Sequence, residues 1–259
     1  MKMTLFALLA AGCSVVPTAS PQTVLFDFDT APVHTPLPPS LTVAGVTAHF
    51  SATGQGFSIQ PANSLGFTPA GFSGYCIYPN SVFAADLQVS FSQTIGAFSI
   101  LYAPEEYACD SSATMRVTAY FNGAYAGTAT TNAAAGTWPS ETLKFASNQG
   151  FNSVVVHYDA PPVTGGDWGP VFMADNMSVS VLPPSIVLAG ITTLAGGGFS
   201  FSFTNAPGGS FSVLSTTNLM RPATNWTVIG TATEVSPGQY QFTDLSATNR
   251  QQFYRVRSP

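Results

Sequence analysis

Residues 115–128 read MRVTAYFNGAYAGT. Met115, Val117 and Ala119 alternate with Arg116, Thr118 and Tyr120, the period of a strand with one buried face. Asn122-Gly123 then interrupts two runs that suit strands. Both residues tolerate positive φ, so the pair predicts a tight hairpin. The reading extends outward in both directions. TVLFDFD, LTVAGVTAHF, DLQVSFS, GAFSILY, NSVVVHY and VFMADNMSVSV also read as strands, separated by turn clusters such as ATGQG, PANS, NAAAGTWPS and SNQG. No sustained helical period follows residue 20. The spacing predicts an all-β chain built on a β-sandwich.

Composition agrees and narrows the chemistry. Asp, Glu, Lys and Arg make up 7% of the 259 residues, against about 25% in ordinary soluble domains. Few groups are left to act as acids, bases or metal ligands. The net charge of −5 gives no basic footprint for nucleic acid.

The start of the chain reads as an export leader, residues 1–20. Lys2 precedes the short apolar run Leu5–Ala11 and the small residues Gly12, Cys13 and Ser14. Secretion is the expectation. The alternative is a lipid anchor on Cys13, because Ala10-Ala11-Gly12-Cys13 approximates a lipobox. No later apolar run reaches the length of a bilayer-spanning helix, so the mature chain is expected not to be transmembrane.

Pro183-Pro184 sets the expected domain boundary, because proline ends strands and stiffens connections. Charge changes sign there. Residues 21–182 hold ten acids and two bases, whereas residues 183–259 hold two acids, Glu234 and Asp244, against four arginines. The second region, 183–259, gives about six shorter strands and suits a small Ig-like sandwich.

The first region resembles the exported β-sandwich domains of PEP-CTERM-type bacterial surface proteins. FDFD, LTVAGVTAHFSATGQGFSI, DLQVSFSQTIGAFSI, MRVTAYFNGAYAGT, FNSVVVHYD and FMADNMSVSV carry the resemblance, in that order. It implies a jelly-roll, galactose-binding-like form; some such folds bind carbohydrate or a structural calcium. The apolar C-terminal helix and basic tail of the anchored members are not found here. SFSVLSTTNLMRPATNWTVIGTATEVSPGQYQFTDLSATNRQQFYRVRSP resembles C-terminal modules of secreted proteins from environmental bacteria. That resemblance implies an accessory or attachment module.

The motifs of a serine hydrolase elbow, a zinc metalloprotease and a phosphate loop are absent from the sequence. His34, His49 and His157 are scattered, and His157 reads as a packed or edge strand residue. Glu105, Glu106, Asp110, Asp159 and Asp167 are the acids a glycan-active hydrolase would need, and such an enzyme is the catalytic alternative. Asp27, Asp29 and Asp175 sit near the first and last strands of the first region, whose ends a jelly roll can bring side by side. They are the expected oxygen ligands of a structural calcium, although Asp175 can equally orient a loop. Cys76 and Cys109 form an even pair in an exported chain, which predicts a disulfide.

The loop PPVTGGDWGP supplies the expected ligand platform. Trp168 would stack on a sugar and Asp167 accept its hydroxyls, with Tyr107, Tyr102 and Tyr78 as further contributors. Alternatively, Trp168 folds back as a lid on the sandwich. The expectation is therefore a non-catalytic surface or extracellular protein. Its expected partner is a glycan or other cell-surface or matrix material, and a purely structural role is the remaining reading.

Overall fold

A computed structural model describes residues 22–106, 114–136, 138–159, 167–184, 186–247, 249 and 251–258; the side chains of Glu106 and residues 167–170 lie outside that description. Residues 1–20, on which the expected leader and Cys13 anchor fall, also lie outside the described residues. The chain is all-β. Among the described residues the only helical element is a 3₁₀ turn, Ala223–Asn225. Contacts group the chain into two compact units, Pro21–Leu182 and Pro183–Pro259.

The first unit contains β1 (Thr23–Phe26), β2 (Ser40–Val43), β3 (Val46–Ala52), β4 (Phe57–Pro61), β5 (Tyr75–Pro79), β6 (Leu87–Glu106), β7 (Thr114–Phe121), β8 (Ala124–Asn132), β9 (Glu141–Asp159) and β10 (Asp167–Val181). These strands form one hydrogen-bonded network that doubles over into two layers. The long strands β6 and β9 make the fold-over. Their register shifts between Ser90 and Ile95, and again between Ile95 and Ala97. Bulges of this kind bend a strand and raise its twist. Before the bend, β6 pairs with β3 and the C-terminal part of β9, giving a front layer β2-β3-β6-β9-β7-β8. After it, β6 pairs with β10 and the first part of β9, giving a back layer with β5 and β4.

The layers meet over one apolar cluster. Phe50, Val89, Val154 and Ala119 come from the front, and Ile77, Phe98, Ile100 and Phe172 from the back. β7 shows the expected alternation directly, with Met115, Val117 and Ala119 buried and the intervening residues half-buried. Asn122 and Gly123 adopt φ of 50° and 82°, and Phe121 pairs with Ala124 across them.

The run TVLFDFD is shorter as a strand than its pattern suggests. β1 stops at Phe26 because Phe28 turns to φ 63° and Asp27 Oδ1 accepts the Asp29 N–H at 3.2 Å. β1 and β5 then lie end to end along the same edge of β10, which pairs with β1 at Met177–Ser180 and with β5 at Ala174.

The second unit has seven strands where its sequence suggests about six. They are β11 (Ala189–Thr193), β12 (Phe199–Thr204), β13 (Ser212–Thr216), β14 (Thr227–Thr231), β15 (Thr233–Ser236), β16 (Gln239–Asp244) and β17 (Phe253–Arg257). Two sheets form, ordered β11-β12-β16-β15 and β14-β13-β17. In the first sheet the order is first, second, sixth, fifth, matching the A-B-E-D sheet of immunoglobulin sandwiches in the layout of its chain. Phe201, Phe203, Phe211, Val213, Tyr240 and Val256 fill the space between the sheets.

Candidate functional site

The front layer of the first unit turns one face to the core and one outward. Directly opposed residues on neighbouring strands point to the same side. One outward row therefore runs Ser40, His49, Ser90, Ser153, Tyr120, Tyr125 across six strands. The next row is Ser51, Gln88, Val155, Thr118, Thr128. Hydroxyl, amide and imidazole groups dominate both. Ser40 Oγ and His49 Nδ1 lie 2.6 Å apart. The Tyr120 and Tyr125 rings meet edge to face at 6.5 Å, and Tyr125 is 65% exposed. Asn152 Oδ1 accepts the Asn122 backbone N–H at 2.9 Å, and its amide reaches Asn122 Oδ1 at 2.7 Å. These bonds fix the hairpin that carries the two tyrosines.

A third row, about 13 Å from the first along the strands, is charged. Arg116 opposes His157, and Asp86 stands beside His157, one residue before the Leu87–Val156 pair. Asp86 Oδ1 meets His157 Nδ1, Asp159 Oδ1 lies 3.3 Å from His157 Nε2, and Arg116 Nη2 lies 3.0 Å from the same Asp159 oxygen. Both ring nitrogens of His157 thus face carboxylates. The Arg116 Nε is buried without a partner.

The charged row borders the end of the sandwich where the chain crosses between layers. The connections 53–56 and 80–86 each join a front strand to a back strand there, and β6, β8 and β9 end there. Phe83, in the second connection, is 67% exposed. Asp167 opens β10 opposite Glu106 at this end. Tyr107 and the side chains of Asp167 and Trp168 lie outside the described residues, so the sequence-derived platform is placed by its backbone alone. Tyr102 is excluded as a ligand contact: it is fully buried in the core, with its hydroxyl 3.3 Å from the Thr131 carbonyl.

Asp27, Asp29 and Asp175 do come together, at the junction between β1 and β5. Four of their six oxygens accept backbone N–H groups. Asp29 Oδ1 accepts the Tyr75 N–H at 2.7 Å. Asp175 accepts the Ser73 N–H at 3.1 Å and the Asn176 N–H at 2.6 Å. Gly74 is required in between, because a Cβ there would overlap Asp29 Oδ1. Among the described residues no three His, Cys, Asp or Glu side chains are grouped to hold a metal. Asp29 and Asp175 clasp the 71–75 segment against β1 and β10, and Asp27 holds the turn that presents Asp29. Burial raises the Asp175 carboxyl to about 7, opposed by its two backbone hydrogen bonds and reinforced by Asp29 and Asp27.

A small satellite core lies beside this clasp, on the outward side of the back layer. Ala62 and Phe72 cover Cys76, Ala103 and Met173. Cys76 is fully buried there as a free thiol, and Cys109 lies outside the described residues. The expected Cys76–Cys109 bond is therefore not made by Cys76, whose sulfur faces packed apolar side chains. Burial pushes the thiol far above its usual range, helped by Asp175 and Glu105. Glu105 is 3% exposed, and its Oε1 has no hydrogen-bond partner. Burial raises its carboxyl to about 7. Burial and the nearby Glu105 carry the half-buried Tyr78 hydroxyl to about 12.

Of the acids considered for hydrolysis, Asp159 is tied to Arg116 and His157, and Glu105 is enclosed. Asp110 and the side chains of Glu106 and Asp167 lie outside the described residues. On the back layer, a shallow trough of about 350 Å³ is lined by Ala97, Ser99, Lys144, Ala146, Ser178 and Ser180.

Asp86 and Tyr125 escaped the sequence reading, though a signal for Tyr125 was present. Counting outward from a two-residue turn at Asn122-Gly123 pairs Tyr120 with Tyr125. Asp86 carries no comparable signal, since its partner His157 lies 71 residues away.

No protein-family model matches the chain, and no curated protein matches it in sequence. Among solved structures, it is similar to the CBM51-2 and INT domains of Clostridium perfringens ZmpB, at 10% identity and a TM-score of 0.31, over 56% of this chain and 40% of that one. It is also similar to dimeric latent PorU of Porphyromonas gingivalis, at 10% identity and a TM-score of 0.27, over 96% of this chain and 21% of that one. The chain thus spans less than half the length of either.

Proposed function

We propose that this is an exported, non-catalytic glycan-binding protein whose first unit takes saccharide across the outer face of its front layer. The Tyr120–Tyr125 pair carries the reading. An exposed aromatic step stands in register with a row of serine and histidine side chains. Sugar C–H faces stack on such rings, while hydroxyls pair with the neighbouring side chains. The charged row lies within reach of an extended chain of sugars, at the end where the Trp168 loop begins. Export rests on the leader-like first residues and on the resemblance to PEP-CTERM-type sandwiches. No helix among the described residues is long and apolar enough to cross a membrane.

The non-catalytic reading is supported by the state of the acids. Hydrolysis needs one free carboxylate and one proton-bearing carboxyl on either side of a bond. Asp159 and Asp86 instead satisfy His157 and Arg116.

A glycan array, followed by titration of the best binder, tests the proposal. Tyr120→Ala with Tyr125→Ala is expected to weaken binding roughly fivefold or more, as loss of about 1 kcal/mol of stacking implies. The melting temperature should move little, because Tyr125 is exposed. Unchanged binding would remove the tyrosine face from consideration. Loss on Trp168→Ala alone would move the site to the loop end.

A further inference from the structure

One end of the second unit differs from the rest of its surface. β11 ends where β12 begins, with Thr193 opposite Phe199. Phe199 also opposes Asp244, the last residue of β16. In the other sheet, Thr216 ends β13 opposite Phe253, which starts β17, and Thr227 starts β14 opposite Ser215. The two sheets are tied at this end by stacking of Phe199 on Tyr254 at 4.7 Å and by the Tyr254 hydroxyl donating to Asp244 at 2.9 Å. Three connections, 194–198, 217–226 and 245–252, therefore leave the sandwich together.

They carry exposed aliphatic side chains. Met220 is 89% exposed and Leu245 79%, and Leu194 and Leu219 are exposed beside them in the same connections. Folded domains seldom leave several large aliphatic side chains in water at the tips of adjacent loops without a partner. Charge at this end has one sign. Arg221 follows Met220 directly and is exposed. Asp244 is buried, accepting hydrogen bonds from Ser246, Gln252 and Tyr254. Glu234 lies away from these loops, holding the Gly208 and Gly238 N–H groups. Among the described residues, no exposed carboxylate lies on these three connections. The whole region 183–259 carries two acids against four arginines, a net of +2.

We infer that this loop end docks on the surface of an anionic lipid bilayer. Met220, Leu219, Leu245 and Leu194 enter the headgroup boundary, and Arg221 meets the lipid phosphates. Exposed aliphatic side chains on adjacent connections suit insertion between lipid headgroups. Aliphatic tips with an adjacent cation match an interface that is apolar inside and negative at its rim. The inference does not depend on glycan binding, which was placed on the first unit.

Vesicle co-sedimentation tests it, using the chain from Gln22 onward, which keeps every strand described above and removes the apolar leader. Binding is expected to mixed phosphatidylcholine–phosphatidylglycerol vesicles and to weaken with salt. Met220→Asp with Leu245→Asp should abolish it, and Met220→Ser with Leu245→Ser should weaken it at least tenfold. Arg221→Gln should weaken it about fivefold, the worth of one cation near such a surface. Near-ultraviolet circular dichroism checks that each variant keeps its packing. If the chain fails to sediment with anionic vesicles, or sediments equally with both double variants, the inference falls. It falls too if the loops instead mediate a concentration-dependent dimer that the aspartate variant dissolves.

Discussion

Glu105 shows how a side chain can be legible as a residue and illegible as an environment. In sequence it is one acid of a Glu-Glu pair, and solvated loop charge is the natural reading. In the structure the segment from Pro61 to Gly74 closes over the outward side of β5, β10 and β6, leaving Glu105 beneath it with one oxygen unpaired. Strand periodicity carries no information about such a cover. The consequence is measurable. Burial raises the Glu105 and Asp175 carboxyls to about 7, from ordinary values of 4.5 and 3.8. The unfolded chain ionises near its ordinary values, so between roughly pH 4 and 7 the folded state holds more protons. The stability these groups contribute is present at low pH and is lost as pH rises through about 7. The first unit should therefore resist denaturant better at pH 5 than at pH 8. Glu105→Gln should be near neutral at pH 5 and stabilise by on the order of 2 kcal/mol at pH 8. Urea midpoints at the two pH values check this; a variant no more stable than the parent at pH 8 would clear the carboxyl of any cost. The aspartates show the converse. Their convergence near the strand ends was legible, but their use was not, because the backbone N–H groups of residues 73 and 75 that occupy them become neighbours only once β1 and β5 share β10.

Among the elements, the hairpin β7–β8 was the most readable, since alternation and Asn-Gly agree there on one answer. Gly123 sits at φ 82° with open space where a Cβ would point. Gly123→Ala should then cost about 1 kcal/mol, from conformation alone, and a larger loss would mean that the turn also packs. Thermal denaturation of the first unit provides the measurement. The long strands were harder. DLQVSFS and GAFSILY read as two strands with a break, and the break is real as a bend, yet the chain stays paired with β9 on both sides of it. Local pattern sees the interruption; only the partner strand shows that it is a corner between layers. The extra strand of the second unit has a similar cause. NWTVIGTAT reads as one strand with nothing after it before QYQFTD, but β14 pairs with β13 while β15, Thr233–Ser236, pairs with β16, so the chain changes sheet at Ala232.

At the scale of the molecule, two separate apolar cores imply two unfolding units. Residues 21–182 expressed alone should unfold cooperatively, and calorimetry of the whole chain should resolve two transitions. A fragment without cooperative unfolding would show that neither core suffices by itself. The ends of the first unit hold a further consequence. Thr23 pairs with Ser180, and the Val181 N–H donates to the Gln22 carbonyl at 2.9 Å, so the chain enters and leaves this unit side by side. β1 and β10 run in opposite directions from that point. Tension applied through the two ends would therefore peel the β1–β10 ladder one rung at a time, starting at Thr23, instead of loading all its rungs together as in shear. A chain held by both ends of this unit would yield first at this seam, lengthening at low force while the rest of the sandwich is still closed.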